Sequence, residues 1–315
     1  MPNPTAASTP QELADLPGPP TNPDRALTVA AIVLPAVAVV AAATTWGRTF
    51  GWGELIAAVV VFMIANFGIN AGFHRLFSHH GFVPNRGLKL ALAGAGCLAL
   101  QGSPTAWVAT HRLHHAHSDH TGDPHSPHAS CDPASPLQGG QVRRLLHAHA
   151  GWLFETANAD AERWAPDLVA DPDHRFVDRW YPLFVPVSLI VPFFAGWAIG
   201  GSTSAGLWAF VWVSGVRVFV GFHATWSVNS LCHTFGRRPF ESGDRSTNLA
   251  VLSVISMGES WHNNHHAYPN LARHGMGTGQ IDPTARTIRL FERLGWATKV
   301  RWPSEQIREA ARGRR

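Results

Sequence analysis

Four apolar blocks constrain this 315-residue chain more than any other feature of it. Residues 26–46 are about twenty mostly apolar residues, enough to cross a hydrocarbon core of roughly 30 Å. After a Gly/Arg/Trp turn at 47–53, a second block occupies 55–73. Residues 181–199 and 205–220, joined around Gly200, Gly201 and Ser202, form the other two. Inside lipid every backbone polar group must bond within the protein, so such blocks span as helices. They predict two helical hairpins, each with both ends on one side, and no further internal repeat.

The remaining segments are read against these spans. Residues 1–25 carry seven prolines and few large apolar side chains, which predicts a disordered tail rather than a signal peptide. Residues 88–100 are apolar apart from Lys89 but too short to cross, and are expected to lie against the membrane. Arg217 in mid-bilayer would cost about 2.5–3.5 kcal/mol on insertion scales. The membrane is therefore expected to end near it, with the helix continuing into water. Residues 285–294, with Ile288, Phe291 and Leu294 on one face and Asp282-Pro283 before them, predict an amphipathic helix packing on a water-facing domain.

Composition excludes several classes. The three cysteines, Cys97, Cys131 and Cys232, form no CxxC pair, which argues against a disulfide framework or cysteine zinc site and for a reducing compartment. The net charge of +4 comes mainly from arginine, about half of it after the last apolar block. That placement suits positive-inside topology and anionic lipid, and no nucleic-acid-binding motif accompanies it.

Three histidine clusters lie at or beyond the ends of the apolar blocks: His74-x4-His79, His111-x2-His114-His115 and His262-x2-His265-His266. On a helix, positions i, i+3 and i+4 share one face. Close imidazoles repel when protonated, and a metal removes that repulsion by binding the neutral form. With His233, one turn past Asn229, there are nine candidate ligands, too many for one four-coordinate zinc and enough for two ions of higher coordination. Spacing alone leaves iron, zinc and copper open. Asp119, Asp123, Glu259, Asn229 and Asn264 are candidates to hold and orient the rings, Asn229 alternatively reaching a metal through water. His80, His117, His120, His125, His128, His147, His149, His174, His223 and His274 are read individually as ordinary histidines.

These motifs resemble the three histidine boxes of the membrane fatty acyl desaturases. Gly122-Asp123-Pro124-His125, Gly151-Trp152-Leu153, Thr225-Trp226 with Asn229-Ser230 and His233, and Gly258-Glu259 resemble the stearoyl-CoA (Δ9) branch. The resemblance runs from about residue 26 to 269. It implies an all-α integral membrane fold of four transmembrane helices, with a cytosolic cap (74–180 and 221–270) holding two Fe ions and a basic cytosolic segment at 271–315. It implies ligands at His74, His79, His111, His114, His115, His233, His262, His265 and His266, with Asn229 acting through water. The implied reaction is O2-dependent formation of a cis Δ9 double bond in a long-chain acyl-CoA. Electrons would come from a separate protein such as a ferredoxin or a reductase, and both termini and the metal site would be cytosolic.

Two features depart from that branch: His80 stands where the animal enzymes have a basic residue, and His223 replaces an asparagine. Acyl-lipid or acyl-carrier-protein desaturation, or hydroxylation by the same irons, are the close alternatives. A membrane metal transporter fits less well because the histidines lie at or beyond the ends of the spans. A zinc hydrolase would differ in metal content and independence from O2.

Overall fold

A computed structural model describes residues 16–45, 51–133 and 136–313. The protein is all-α apart from a two-residue antiparallel pairing of β1 (Val83–Pro84) with β2 (Ala297–Thr298). Four helices are long and apolar enough to cross a membrane: α1 (Asn22–Thr44), α2 (Trp52–Ser78), α6 (Pro172–Gly200) and α7 (Thr203–Leu231). Their outward faces expose Leu34, Val37, Val40, Ile56, Ile190 and Phe194, which suits lipid contact and not water. Between and after them come α3 (Arg86–Cys97), α4 (Pro104–His117), α5 (Gln141–His149), α8 (His262–Ala267) and α9 (Pro283–Arg293).

Most of the expected tail, residues 1–15, lies outside the described residues, as do 46–50, the last residue of the first block and the start of the turn. The rest of the tail differs from expectation. Leu16 packs on the core, and Gly18 O accepts from Ala157 N at 2.9 Å. α1 begins at Asn22, because Thr21 and Asp24 form a reciprocal capping box.

α7 continues past Arg217 to Leu231, and Arg217 itself is enclosed by protein. It is 3% exposed and bonds only to protein: Nε to Val213 O at 2.9 Å, Nη1 to Leu98 O at 2.8 Å, and Nη2 to Ser188 O at 3.2 Å. Pro192 on α6 has no N–H to give Ser188 O, four residues earlier, and the guanidinium takes that carbonyl instead. It simultaneously ties down the end of α3. That helix is 12 residues, about 18 Å, too short to cross.

The spans meet through small residues. A Cβ at Gly215 of α7 would stand 2.2 Å from Ala38 Cβ of α1, and one at Gly68 of α2 would stand 2.1 Å from Gly96 N of α3. The second contact is backbone against backbone, and no rotamer change relieves it. Gly68→Ala is expected to cost at least the roughly 1–3 kcal/mol of ordinary overpacking, visible as a lowered unfolding midpoint in detergent. An unchanged midpoint would show that the two helices can slide apart.

From Gly68 to Ser78, α2 is π-helical, and every residue of that stretch is buried. Both hairpins have their free ends on one side, and the chain between Ser78 and Pro172 and after Leu231 forms a cap there.

Candidate metal centre

The π-helical turn explains the wider spacing of the first histidine pair. On a regular α-helix His74 and His79 would point about 140° apart. The π register replaces this with an i to i+5 bond, His79 N to His74 O at 3.2 Å, which brings the ring centroids to 5.0 Å. α4 supplies His111, His114 and His115, and α8 supplies His262, His265 and His266. His233 lies just past the end of α7.

The nine imidazoles form two groups. His74, His79, His111, His115 and His265 make one; His114, His233, His262 and His266 make the other. Within each group the facing ring nitrogens all lie within 4.8 Å of one another. In the first, Nε2 atoms of His74 and His265, His79 and His111, and His265 and His115 are 2.9–3.0 Å apart. In the second, His262 Nε2 is 3.0 Å from Nε2 of both His233 and His266. The groups adjoin: His115 stacks on His266 at 4.4 Å.

Carboxylates orient four of these rings from behind. Glu259 stands 2.6 Å from His74 Nδ1, Asp123 2.9 Å from His114 Nδ1, Asp119 2.8 Å from His233 Nδ1, and Asp244 2.5 Å from His266 Nδ1. Each carboxylate accepts the Nδ1 proton and turns the Nε2 lone pair inward. Burial favours neutral Asp119 and Asp244, but the adjacent imidazoles and hydrogen-bond donors outweigh it and hold both well below the usual carboxylate range. Burial first, then mutual repulsion, hold His79, His111, His115, His262 and His265 well below the ordinary imidazole value. All five are neutral at pH 7, the ligand form.

The donor set fits metal. His114 Nε2 is buried and has no hydrogen-bond partner while its Nδ1 is held by Asp123. Inward lone pairs crowded this closely repel unless a cation lies among them. Two nitrogens sharing an ion at about 2.1 Å stand about 3.0 Å apart at a right angle and about 3.4 Å apart at a tetrahedral one. The closest spacings, 2.9–3.0 Å, are those of neighbouring ligands on one ion.

Sequence reasoning placed Asp119, Asp123 and Glu259 beside the rings, and they are there. Asn264 is not: its Nδ2 donates to His274 O at 2.7 Å and to Gln280 Oε1 at 3.0 Å, because two residues past His262 it points to the far side of α8. Asn229 lines a cavity of about 50 Å³ together with His74, His111, His262, Trp107 and Thr225.

Four contributors were missed. Asp244 comes from a distant loop with no spacing signal. His274, read as ordinary, is fully buried with Nδ1 3.2 Å from Glu259 and its ring 4.4 Å from His265. Arg75 and Asp282 complete a buried network: Arg75 donates to Glu259 at 2.8 and 3.1 Å and to Asp282 at 3.1 Å. Arg75 sits inside the first histidine box, and a charge at a position that must be buried was the available signal. The His125 ring also lies against His114, tilted, at 4.3 Å.

Asp244→Asn is expected to weaken metal retention about 10–100-fold, as loss of an outer carboxylate usually does. The check is residual metal after timed exposure to a chelator; equal retention would make Asp244 merely structural.

Four spanning helices under a cap that gathers nine imidazoles into two groups define a membrane protein with a histidine-rich site suited to metal. The fatty acid desaturase family model matches residues 50–280, and the chain belongs to that family of oxidoreductases. It is 35% identical to an sn-1 stearoyl-lipid 9-desaturase of Anabaena variabilis, over 80% of this chain and 85% of that one. It is 34% identical to a hex-5-enoyl-[acyl-carrier protein] acetylenase of Moorena producens, over 88% and 86%. To an acyl-CoA C20 Δ5-desaturase of Anemone leveillei it is 36% identical over 82% and 77%.

Proposed function

We propose that this chain is an O2-dependent di-iron desaturase that introduces a cis Δ9 double bond into a long-chain acyl group. The observation carrying the proposal is the division of nine imidazoles, six of them on buried residues and three on partly buried ones, into groups of five and four. An unactivated methylene offers a general base no acidic proton, so its oxidation needs a metal-borne oxidant. Two irons held by the nine histidines, with Asn229 contributing through water, would supply it from O2 and two electrons. The balance is one –CH2–CH2– unit, O2, two electrons and two protons giving –CH=CH– and two waters.

The chain's own residues supply position. Trp107 stacks on His111 at 4.9 Å, and Gln101 donates to Thr225 at 2.9 Å, building a rigid wall beside the cavity. That cavity is far smaller than the roughly 300–1,000 Å³ of usual ligand sites, so an acyl chain enters only as side chains move. Holding the chain in one bend there selects which carbons face the metals.

Among CoA, carrier protein and lipid, the surroundings of the cap favour one headgroup. A second cavity of about 870 Å³, between residues 16–19, residues 130–133 and 136–138, and α5, adjoins the N-terminus of α1. Among the described residues its charged lining is Arg25 and Arg143 against Asp132 and Glu155. So balanced a lining suits a weakly charged lipid headgroup better than the phosphates of CoA. The electron donor is a separate protein such as a ferredoxin or reductase, docking on the basic, cytosolic face of the cap.

The test is aerobic incubation of purified protein, its metal already counted, with stearoyl chains on CoA, on carrier protein and on lipid. Reductase and ferredoxin supply electrons, and gas chromatography locates the double bond. Oleoyl product with about two irons per chain is expected. Hydroxylated product would assign the site to the alternative reaction, and one zinc without O2 consumption would overturn the proposal.

A further inference from the structure

Helix α9 exposes apolar side chains that the metal site does not use. Asp282 caps it, accepting from Ala285 N at 2.9 Å, and Ile288 is fully buried. At about 100° per residue, the stripe containing Thr284, Ile288 and Phe291 faces the protein. Arg286, Arg289 and Arg293 lie opposite. Leu290 and Leu294 occupy the arc between, 51% and 50% exposed, and Trp296 beyond the helix is 46% exposed. A helix packed only on a water-facing domain has no reason to leave that arc apolar.

Its neighbour says what covers it. Phe291 packs edge-on against Phe67 of α2 at 5.8 Å, and Trp296 stacks on Phe291 at the same distance. Phe67 lies about 22 Å along α2 from Trp52, short of the roughly 30 Å a hydrocarbon core spans. α9 is therefore level with the inner edge of the membrane, not above it. The adjoining turn is at the same depth: Ser256 O accepts from Asn70 Nδ2 at 3.1 Å, and Thr284 Oγ1 donates to Met257 O at 2.8 Å. That turn exposes Val251 at 80% and Val254 at 64%.

We infer that α9 is an interfacial helix whose Leu290–Leu294–Trp296 edge is seated in the lipid surface beside α2. Arg286 and Arg293 then face the phosphates of the same leaflet, the division of labour of helices that lie in a bilayer interface. Trp296 sits where indole rings concentrate. The docking has a structural consequence, since Asp282, the first residue before α9, also holds Arg75 behind His74. Lipid contact thus steadies the outer wall of the site. This reading stands on the fold alone and does not depend on which metal or substrate the protein uses.

Cysteines placed singly at positions 286, 290 and 294 of the full chain, carrying a nitroxide label in lipid nanodiscs, test it. The native Cys97, Cys131 and Cys232 are buried and do not compete for the label. Labels at 290 and 294 are expected to favour dissolved O2 over a water-soluble nickel chelate several-fold, and the label at 286 the reverse. Equal nickel access at all three positions would place α9 in water and overturn the inference. Dipolar broadening between labels on two chains at 290 would assign the edge to a second copy, and would overturn it equally.

Discussion

Replacing His265 with alanine is expected to empty one of the two proposed metal positions and to abolish desaturation. His265 is fully buried, and its Nε2 lies 3.0 Å from Nε2 of both His74 and His115. It is the donor on which the five-membered group closes. Its removal should cost more than the roughly 10–100-fold in affinity that follows loss of an outer partner. His262→Ala should do the same to the other group, where His262 bridges His233 and His266. The readout is metal per chain by mass spectrometry beside product by gas chromatography. His80→Ala is the control: it adjoins His79 in sequence, but its side chain is 61% exposed and faces Arg112 and Asp167 instead of the ring clusters. That variant should keep both metals. A His265→Ala protein still holding two would remove His265 from the ligand set.

The second large effect is on stability. Arg75 is fully buried and faces two buried carboxylates, Glu259 and Asp282. The three attract strongly, which lowers both carboxylates despite burial. Whether the network as a whole is more stable than an apolar core does not matter to the test, because removing one partner leaves the others uncompensated. Arg75→Met is therefore expected to cost about 3–5 kcal/mol. Denaturation in detergent should show a large drop in midpoint, with metal loss following as Glu259 swings away from His74. Arg75→Met combined with Asp282→Asn should recover part of the loss, since residues in direct contact couple by about 0.5–3 kcal/mol. Strict additivity of the two substitutions would show that the contact holds nothing together.

Much of this protein is legible in its residues. The four apolar blocks carry enough hydrophobic length that a bilayer leaves them only the helix, and the observed spans follow those blocks, α6 starting nine residues earlier than expected and α7 running eleven residues further. Asp282-Pro283 marked the start of α9 because a carboxylate before a proline satisfies the first free N–H groups. The histidine clusters were legible as ligands-in-waiting because imidazoles so close together have few other reasons to be there. The extent of each helix at its cap end was less legible. Beyond the bilayer the limit is set by what the helix packs on, as Arg217 shows by finding carbonyls on α3 and α6 instead of water.

The sequence by itself determined which residues could bind metal and on which elements they ride. Only the tertiary structure decided how they are shared. Spacing puts His111, His114 and His115 on one face of α4, yet His111 and His115 join one group and His114 the other. α8 divides His262, His265 and His266 in the same way. Helical periodicity fixes directions within one element, whereas a metal site is a point where directions from several elements meet. The approach of α2, α4, α7 and α8 sets those points, together with Asp244, His274 and Asp282 brought in from loops. No local pattern encodes that approach, because it is fixed by packing between segments far apart in the chain.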